Sequence, residues 1–277
     1  MKKQPVKTFV PISAVAAVFG LAASSVNAEI PIFQANFPAS WNGTGTTVTD
    51  QSGAGNIGFQ SGTTHATYTT ATVPPGALAG TGSMQLDGVA GIKVTPTGLL
   101  NNTAVGNAGG FIYNIDFLWD GTDSTSFGHT EKLIDYAGTE SLQLVTASGA
   151  ALLQMTFTDD LGATTPAVST SILPNTWYDV TLRFDNTSMV GGDVAGTASL
   201  YLNGGLVDSA AATKGTYGDS LNRPIGIGEF GYGHSTSIIG LHGDIYDASI
   251  SLVPEPSTLA LGALGGLGML FRSRRKS

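Results

Sequence analysis

The chain has 277 residues and no cysteine, so neither disulfide bonds nor thiolate metal sites are available to it. Between residues 29 and 252, five Lys and Arg residues stand against nineteen Asp and Glu residues, a net charge of −14. Such an acidic surface repels phosphates, which excludes nucleic acid as a partner and favours cations, neutral glycans or solubility alone.

Residues 1–28 have the pattern of a secretory signal peptide. Three lysines precede an apolar stretch that runs from Phe9 to Ala23, and Val26 and Ala28 are the small residues expected before a cleavage point. The pattern predicts an N-terminal signal helix, export through the Sec machinery and cleavage between Ala28 and Glu29.

The region from residue 29 to 252 alternates apolar and polar residues between Gly-rich turns, which predicts strands rather than helices. In residues 177–185 every second residue is apolar, and these residues share one face: Tyr178, Val180, Leu182 and Phe184. Further strands are predicted within 111–119, 153–158 and 246–252. Asn203 and Gly204 predict a two-residue type I′ hairpin. The 224 residues predict one all-β domain, a single antiparallel β-sandwich, with long loops in residues 42–82.

Six segments follow one another in a recognisable order. They are MQLDG at 84–88, EKLIDYAG at 131–138, LPNTWYDVTLRFD at 173–185, GTASLYLNG at 196–204, RPIGIG at 223–228 and GDIYDASI at 243–250. Their succession resembles the laminin-G-like, concanavalin A-like jelly roll over roughly residues 35–252. The resemblance implies a jelly-roll sandwich.

The same resemblance implies a structural calcium ion, since laminin-G-like folds often bind one. The candidate ligand is Asp247 at the start of the last strand, with backbone carbonyls of Ala35 or Asn36 in the first. The alternative is a solvated acid on the outer face of a strand. Tyr246 stands where the family often has an acid, which is a departure from its pattern.

Four aromatic residues lie in Gly-rich, loop-like surroundings, where an exposed ring can stack on a sugar. They are the candidate ligand-binding residues: Trp41, Tyr68, Tyr217 and Tyr232. Trp177 belongs to a strand pattern and is predicted to lie in or near the core.

No catalytic constellation is evident in the sequence. The nearest carboxylate pairs, Glu131 with Asp135 and Asp244 with Asp247, are interpreted as solvated acids at strand edges. The GDSL tetrad at 218–221 has no later Asp-x-x-His to supply a base, so it is interpreted as a turn. The four histidines lack the spacing of a zinc site, and His234 and His242 are interpreted as neutral surface residues.

The residues from 253 onward combine three features in a fixed order. Val253-Pro254-Glu255-Pro256 precedes an uncharged stretch from 258 to 271, and Arg272, Arg274, Arg275 and Lys276 follow it. This order resembles the PEP-CTERM sorting signal of Gram-negative bacteria. The resemblance implies a membrane-embedded exosortase as partner and cleavage near Pro254-Glu255-Pro256. The apolar run predicts a short transmembrane helix held transiently in the inner membrane, with the basic end on the cytoplasmic side.

Three domains therefore follow: a signal peptide at 1–28, a β-sandwich at 29–252 and a sorting signal at 253–277. The predicted function is non-catalytic binding of extracellular polysaccharide or protein at the cell surface or in the matrix. Two alternatives stay open. One is a glycosidase or lyase on the same fold, and the other is a purely structural envelope protein.

Overall fold

A computed structural model describes residues 29–37, 39–61, 66–95, 110–122, 130–136, 140–147, 150–159, 163–190, 193–215, 224–229 and 239–253. Every regular element in these ranges is a strand, which confirms the predicted all-β class. Among the same residues no helix is long and apolar enough to cross a membrane. The predicted signal helix and transmembrane helix fall outside the described ranges.

Seventeen strands occur in the described part of the chain. They are β1 Ile30–Asn36, β2 Thr47–Thr49, β3 Ile57–Ser61, β4 Ala66–Thr69, β5 Ser83–Asp87, β6 Gly91–Thr95, β7 Gly110–Trp119, β8 Thr130–Tyr136, β9 Glu140–Ala147, β10 Ala150–Thr158, β11 Thr164–Ile172, β12 Trp177–Val190, β13 Asp193–Leu202, β14 Gly205–Lys214, β15 Ile225–Ile227, β16 Ile239–Gly240 and β17 His242–Val253.

The strands form two sheets. The first sheet has the order β14-β13-β12-β7-β17-β5-β4, and β1 also pairs with β17. The second has the order β11-β10-β9-β8-β15-β6-β3-β2, and the short β16 pairs with β8. All pairings are antiparallel except that of β16 with β8. Strands distant in sequence, such as β7 and β17, are therefore direct neighbours.

The sheets pack face to face through the inward side chains of each strand. In β12 these are Val180, Leu182 and Phe184, which are fully buried as the period-two pattern predicts. Phe157 of the second sheet lies 5.1 Å from Phe184 and 6.4 Å from Phe111 of the first, measured between ring centroids. These contacts belong to a single hydrophobic cluster with members from both sheets, so the fold is a two-layer β-sandwich. The strands and this core lie within one compact unit, Glu29–Pro254.

The predicted hairpin between β13 and β14 is confirmed. Asn203 and Gly204 both have positive φ, 51° and 77°, as a type I′ turn requires. The backbone amide of Asn203 donates to the carbonyl of Asp179 at 2.7 Å, and the Asn203 side-chain oxygen accepts from the Asp179 amide at 3.1 Å. The turn is therefore held against β12.

The prediction of long loops in residues 42–82 holds for residues 70–82 but not for the whole segment. Three short strands, β2, β3 and β4, lie in this segment. Each pairs with a neighbour, β2 with β3, β3 with β6 and β4 with β5. Pairing with a neighbouring strand compensates for the high Gly and Thr content, which local sequence pattern alone cannot show.

The interpretation of Glu131, Asp135 and Asp244 as solvated acids was also wrong. All three side chains are buried. Asp135 contacts Ser141 Oγ and lies 3.5 Å from Lys132 Nζ, whereas Asp244 lies 3.0 Å from Ser83 Oγ. Glu131 Oε2 accepts a hydrogen bond from the backbone amide of His242 at 2.9 Å.

His242 is likewise not a neutral surface residue. Its side chain is only partly exposed, and Nδ1 lies 3.5 Å from Glu131 Oε1. The neighbouring carboxylate of Glu131 raises the pKa of His242, since it favours the charged imidazolium. Because Glu131 belongs to β8 and His242 to β17, this pair links the two sheets.

A second buried pair also joins the sheets. Lys214 Nζ at the end of β14 lies 2.9 Å from Glu140 Oε1 at the start of β9, and both side chains are at most 3% exposed. Tyr113 donates its hydroxyl to Glu140 Oε2 at 3.1 Å. The ammonium also lies 5.6 Å from the ring centroid of Phe111, within the range of a cation–π contact.

Breaking this pair should destabilise the sandwich strongly. Lys214→Ala leaves Glu140 charged and buried, so we expect urea unfolding of residues 29–253 to show a loss of about 3 kcal/mol. The double variant Lys214→Met/Glu140→Gln removes both charges and should recover most of that loss. A loss in the double variant equal to that in Lys214→Ala would contradict the ion-pair explanation.

Candidate functional site

Acidic side chains form a row across the outer face of the first sheet. Asp179 of β12 is the register partner of Asp116 of β7, and Asp116 is the partner of Asp247 of β17. Asn36 of β1 stands opposite Asp247 and completes the row. Four neighbouring strands therefore each contribute one polar residue at the same level.

The crowding of these carboxyl groups changes their titration. Burial raises the pKa of Asp116 to about 6, and the charges of Asp179 and Asp247 act in the same direction. Burial also raises the pKa of Asp247 to about 6, against a hydrogen bond with Asn36 that favours the ionised form.

Two aromatic rings stand beside the acids. Trp177 lies on β12 two residues before Asp179, and Tyr246 lies on β17 directly before Asp247. Their ring centroids are 6.5 Å apart at an interplanar angle of 82°, an edge-to-face arrangement. The rings therefore share the outer face with the acidic row.

A β-bulge accounts for the position of Tyr246. The register between β17 and β7 shifts between Ile245, which pairs with Phe117, and Asp247, which pairs with Asp116. Tyr246 is the extra residue, so it does not share the inward face with Ala248 as strict alternation predicts. Its partial exposure contrasts with the complete burial of Ile245 and Ala248.

The segment from 74 to 81 forms the opposite wall. The amide of Ala77 donates to the carbonyl of Pro74, and Gly76 between them has φ 87°, as position three of a type II turn requires. A second turn follows, in which Thr81 donates to Leu78. The Tyr246 hydroxyl lies 3.4 Å from the Thr81 hydroxyl, which connects this wall to β17.

Together these elements enclose a cavity of about 470 Å³, within the usual range of small-ligand sites. It is lined by Pro74, Pro75, Gly76, Ala77, Leu78, Asp116, Trp177, Tyr178, Asp179, Asn203 and Tyr246. The side chain of Leu78 is 77% exposed, an unusual position for a leucine, and it contributes to the apolar wall.

A second concavity of about 340 Å³ lies further along the same face. Its lining includes Thr181 of β12, two residues beyond Asp179, and Tyr201, the register partner of Thr181. Asn203 lines the first concavity and Gly204 the second, so the β13–β14 turn borders both. We call the two concavities together the outer groove.

Two of the candidate ligand-binding residues of the sequence analysis, Trp41 and Tyr68, do not line this groove. Trp41 was expected to be exposed but is only 5% exposed, because it packs in the core and donates Nε1–H to the Gly45 carbonyl at 3.1 Å. Tyr68 is partly buried against the same core. Tyr217 and Tyr232 lie outside the described residues, and so do Ala28, Pro254, Glu255 and Pro256.

The geometry bears on the calcium prediction at Asp247. Asn36 stands opposite as expected, but no three acids or histidines within the described ranges gather closely enough to hold a metal ion. The side chains near Asp247 therefore do not by themselves form a calcium site, and calcium binding there stays a prediction.

The sequence analysis missed the residues that line the cavity. Trp177 was predicted to lie in or near the core, although it has the same parity as Asp179 and Thr181, which were predicted to lie on the opposite face from Tyr178. The period-two pattern therefore contained the signal for Trp177. No local signal could reveal the alignment of Asp116 and Asp179, because their strands are about sixty residues apart in the chain.

Residues 252–276 match the family model of the PEP-CTERM protein-sorting motif. The chain carries a PEP-CTERM motif. This confirms the resemblance of its C-terminal region, and the motif implies export and membrane-anchored sorting in the cell envelope, with an exosortase as the processing partner. The match covers the sorting region and leaves the sandwich unassigned. No curated protein matches the sequence.

Several solved structures have a similar β-sandwich. The binding domain of Paraclostridial Mosquitocidal Protein 1 matches with a TM-score of 0.51 and 13% identity, covering 83% of this chain and 51% of that one. A protein of unknown function from Shewanella oneidensis MR-1 matches with a TM-score of 0.47 and 11% identity, covering 90% and 97%. The chain spans about half the length of the toxin binding domains it matches. At these identities the similarity concerns the fold alone.

The raised pKa values predict a pH dependence of stability. A carboxyl group whose pKa is higher in the folded state stabilises that state while protonated, and this contribution is lost as pH rises through the folded pKa. From Asp116 and Asp247 we expect a loss of about 1 to 2 kcal/mol in total between roughly pH 4 and pH 7, after allowance for solvent screening.

The measurement is the free energy of unfolding of residues 29–253 across this pH interval. The variant Asp116→Asn/Asp247→Asn cannot ionise at these positions, so its stability should fall less than that of the natural sequence. Identical pH profiles for the two proteins would show that the acidic row is better solvated than its burial indicates.

Proposed function

We propose that this exported protein binds extracellular polysaccharide, without cleaving it, in the outer groove. The observation that carries the proposal is the combination of an edge-to-face Trp177–Tyr246 pair with carboxylate and amide groups in one concavity. Apolar faces of sugar rings stack on aromatic side chains, while sugar hydroxyls donate to carboxylates. The groove offers both at once.

The shape of the groove supports a chain rather than a single sugar. The two concavities follow each other along β12, and hydroxyl, amide and aromatic groups such as Thr181, Asn114 and Tyr201 continue the polar surface beyond the acids. Asn114 Oδ1 accepts from the Thr181 hydroxyl at 2.7 Å, which holds the amide in place. A polymer can contact both concavities, so its affinity gains from several weak contacts.

The proposal also includes the type of β-sandwich and the export route that the sequence indicates. We infer that the sandwich is of the laminin-G-like jelly-roll type, as the order of its motifs indicates. The chain would pass the inner membrane of a Gram-negative bacterium through the Sec machinery, be held there transiently by its apolar tail, and reach the cell surface or matrix after exosortase processing.

Removing either ring of the aromatic pair should weaken binding. We expect Trp177→Ala and Tyr246→Ala each to lower the affinity of residues 29–253 for the host's own extracellular polysaccharide by about tenfold, because each removes a stacking surface. Co-sedimentation of protein with the polysaccharide measures this. Phe59→Ala is the matched control, since Phe59 is 42% exposed on a strand of the other sheet. Natural affinity in both groove variants would contradict the assignment of the site.

A specific observation favours polysaccharide cleavage as the second candidate function. Asp116 and Asp247, each with a pKa of about 6, could act as a proton donor near neutral pH. Measuring new sugar ends in the same incubation separates the two functions. Binding without new ends is the expected result, and new ends that disappear in Asp116→Asn would establish catalysis.

The sorting motif generates an independent prediction. Replacing Pro254-Glu255-Pro256 by three alanines should block exosortase processing, so that the full-length precursor accumulates in the membrane fraction. Cell fractionation followed by intact-mass measurement checks this. Ser257→Ala/Thr258→Ala, next to the triplet, is the control and should be processed normally. Normal release of the triplet variant would refute recognition of this motif.

A further inference from the structure

The ionisable groups of the first concavity all have the same sign. Asp116 and Asp179 line it directly, and Asp247 is the register neighbour of Asp116. None of its lining residues is a lysine, arginine or histidine. The cation of Arg183 lies on the same strand four residues beyond Asp179, where its Nε donates to both oxygens of Asp185, at 2.9 and 2.8 Å. The acidic row is therefore not neutralised from within the cavity.

The aromatic pair complements a positive charge as well as a sugar ring. The faces of Trp and Tyr rings carry negative electrostatic potential, and a cation near them is stabilised most when it is partly desolvated. Trp177 and Tyr246 line the cavity together with the carboxylates of Asp116 and Asp179, and the cavity also has an apolar wall around Leu78. A ligand cation there would meet rings and carboxylates together.

The arrangement suits an organic ammonium group better than a bare metal ion. The carboxylates are distributed one per strand, and among the described residues no three acids or histidines converge as a metal ion requires. A calcium ion needs six to eight oxygen ligands at about 2.4 Å, whereas an ammonium group needs only acceptors for its three N–H bonds. Asp116 and Asp179 are register partners on adjacent strands, so their carboxylates can offer such acceptors side by side.

We propose that the first concavity of the outer groove is selective for free amino sugars within a polysaccharide, the ammonium group lying between Asp116 and Asp179 while its sugar ring stacks on Trp177. This inference rests on the proposed function, whose ligand class it narrows. An N-acetylated sugar has lost the positive charge at that position. A neutral hexose offers a hydroxyl in its place, which gains less than an ammonium group from the two carboxylates.

Three tetrasaccharides test the inference, because they share one backbone linkage and differ only at carbon 2. They are the β-1,4-linked tetramers of glucosamine, N-acetylglucosamine and glucose. Calorimetric titration of residues 29–253 at about pH 6.5 should show the glucosamine tetramer binding at least tenfold more tightly than either neutral tetramer. In the variant Trp177→Ala, we expect the glucosamine tetramer to bind more weakly than it does to the natural sequence.

The control must separate the cavity from the general acidity of the protein. Asp116→Asn/Asp179→Asn should abolish the preference for the amine, whereas Asp87→Asn/Asp193→Asn, which makes the same change in charge outside the cavity, should preserve it. Loss of the preference in the second variant would show non-specific attraction and overturn the inference.

The outcomes also distinguish this inference from the proposed function. Equal affinity for the three tetramers, lost in Trp177→Ala, would overturn amine selectivity while leaving polysaccharide binding in the groove intact. Binding of the host polysaccharide without any binding of the glucosamine tetramer would overturn it as well. If neither the tetramers nor the host polysaccharide bind, both the amine selectivity and the proposed function are overturned.

Discussion

The antiparallel register of β12, β7 and β17 is the constraint on which both the fold and the site depend. Each strand buries alternate residues, for example Val180, Ile115 and Ala248, in the core between the sheets. A register shift of one residue would expose these apolar side chains and bury the polar side chains that alternate with them. The same register that closes the core therefore places Asp179, Asp116 and Asp247 in one row on the outer face.

Buried polar pairs restrict how the two sheets can be arranged. Lys214 with Glu140 and His242 with Glu131 each join one strand of the first sheet to one of the second. Such pairs add little net stability compared with apolar contacts, but a sheet displaced by one position would leave buried charges unpaired, which is costly. A chain without disulfide bonds can use this penalty to favour a single alignment of its layers.

Local pattern and long-range pairing account for what the sequence did and did not reveal. The all-β class and the β13–β14 turn depend on neighbouring residues, so alternation and an Asn-Gly pair were sufficient to predict them. The burial of Glu131 and Asp244 depends on partners far along the chain, such as His242 and Ser83, which no local pattern contains. Nothing in the amino-acid composition predicts the bulge at Tyr246. This bulge adds the second aromatic ring to the site.

The end of the sandwich constrains where the sorting motif can be processed. β17 extends to Val253, which is buried and pairs with Gly110, while the matched motif begins at residue 252. β17 pairs with β1, β5 and β7, and it carries both Tyr246 and Asp247. A cut before Val253 would remove core side chains from a strand at the centre of the first sheet. Cleavage within Pro254-Glu255-Pro256 would leave every one of these pairings in place.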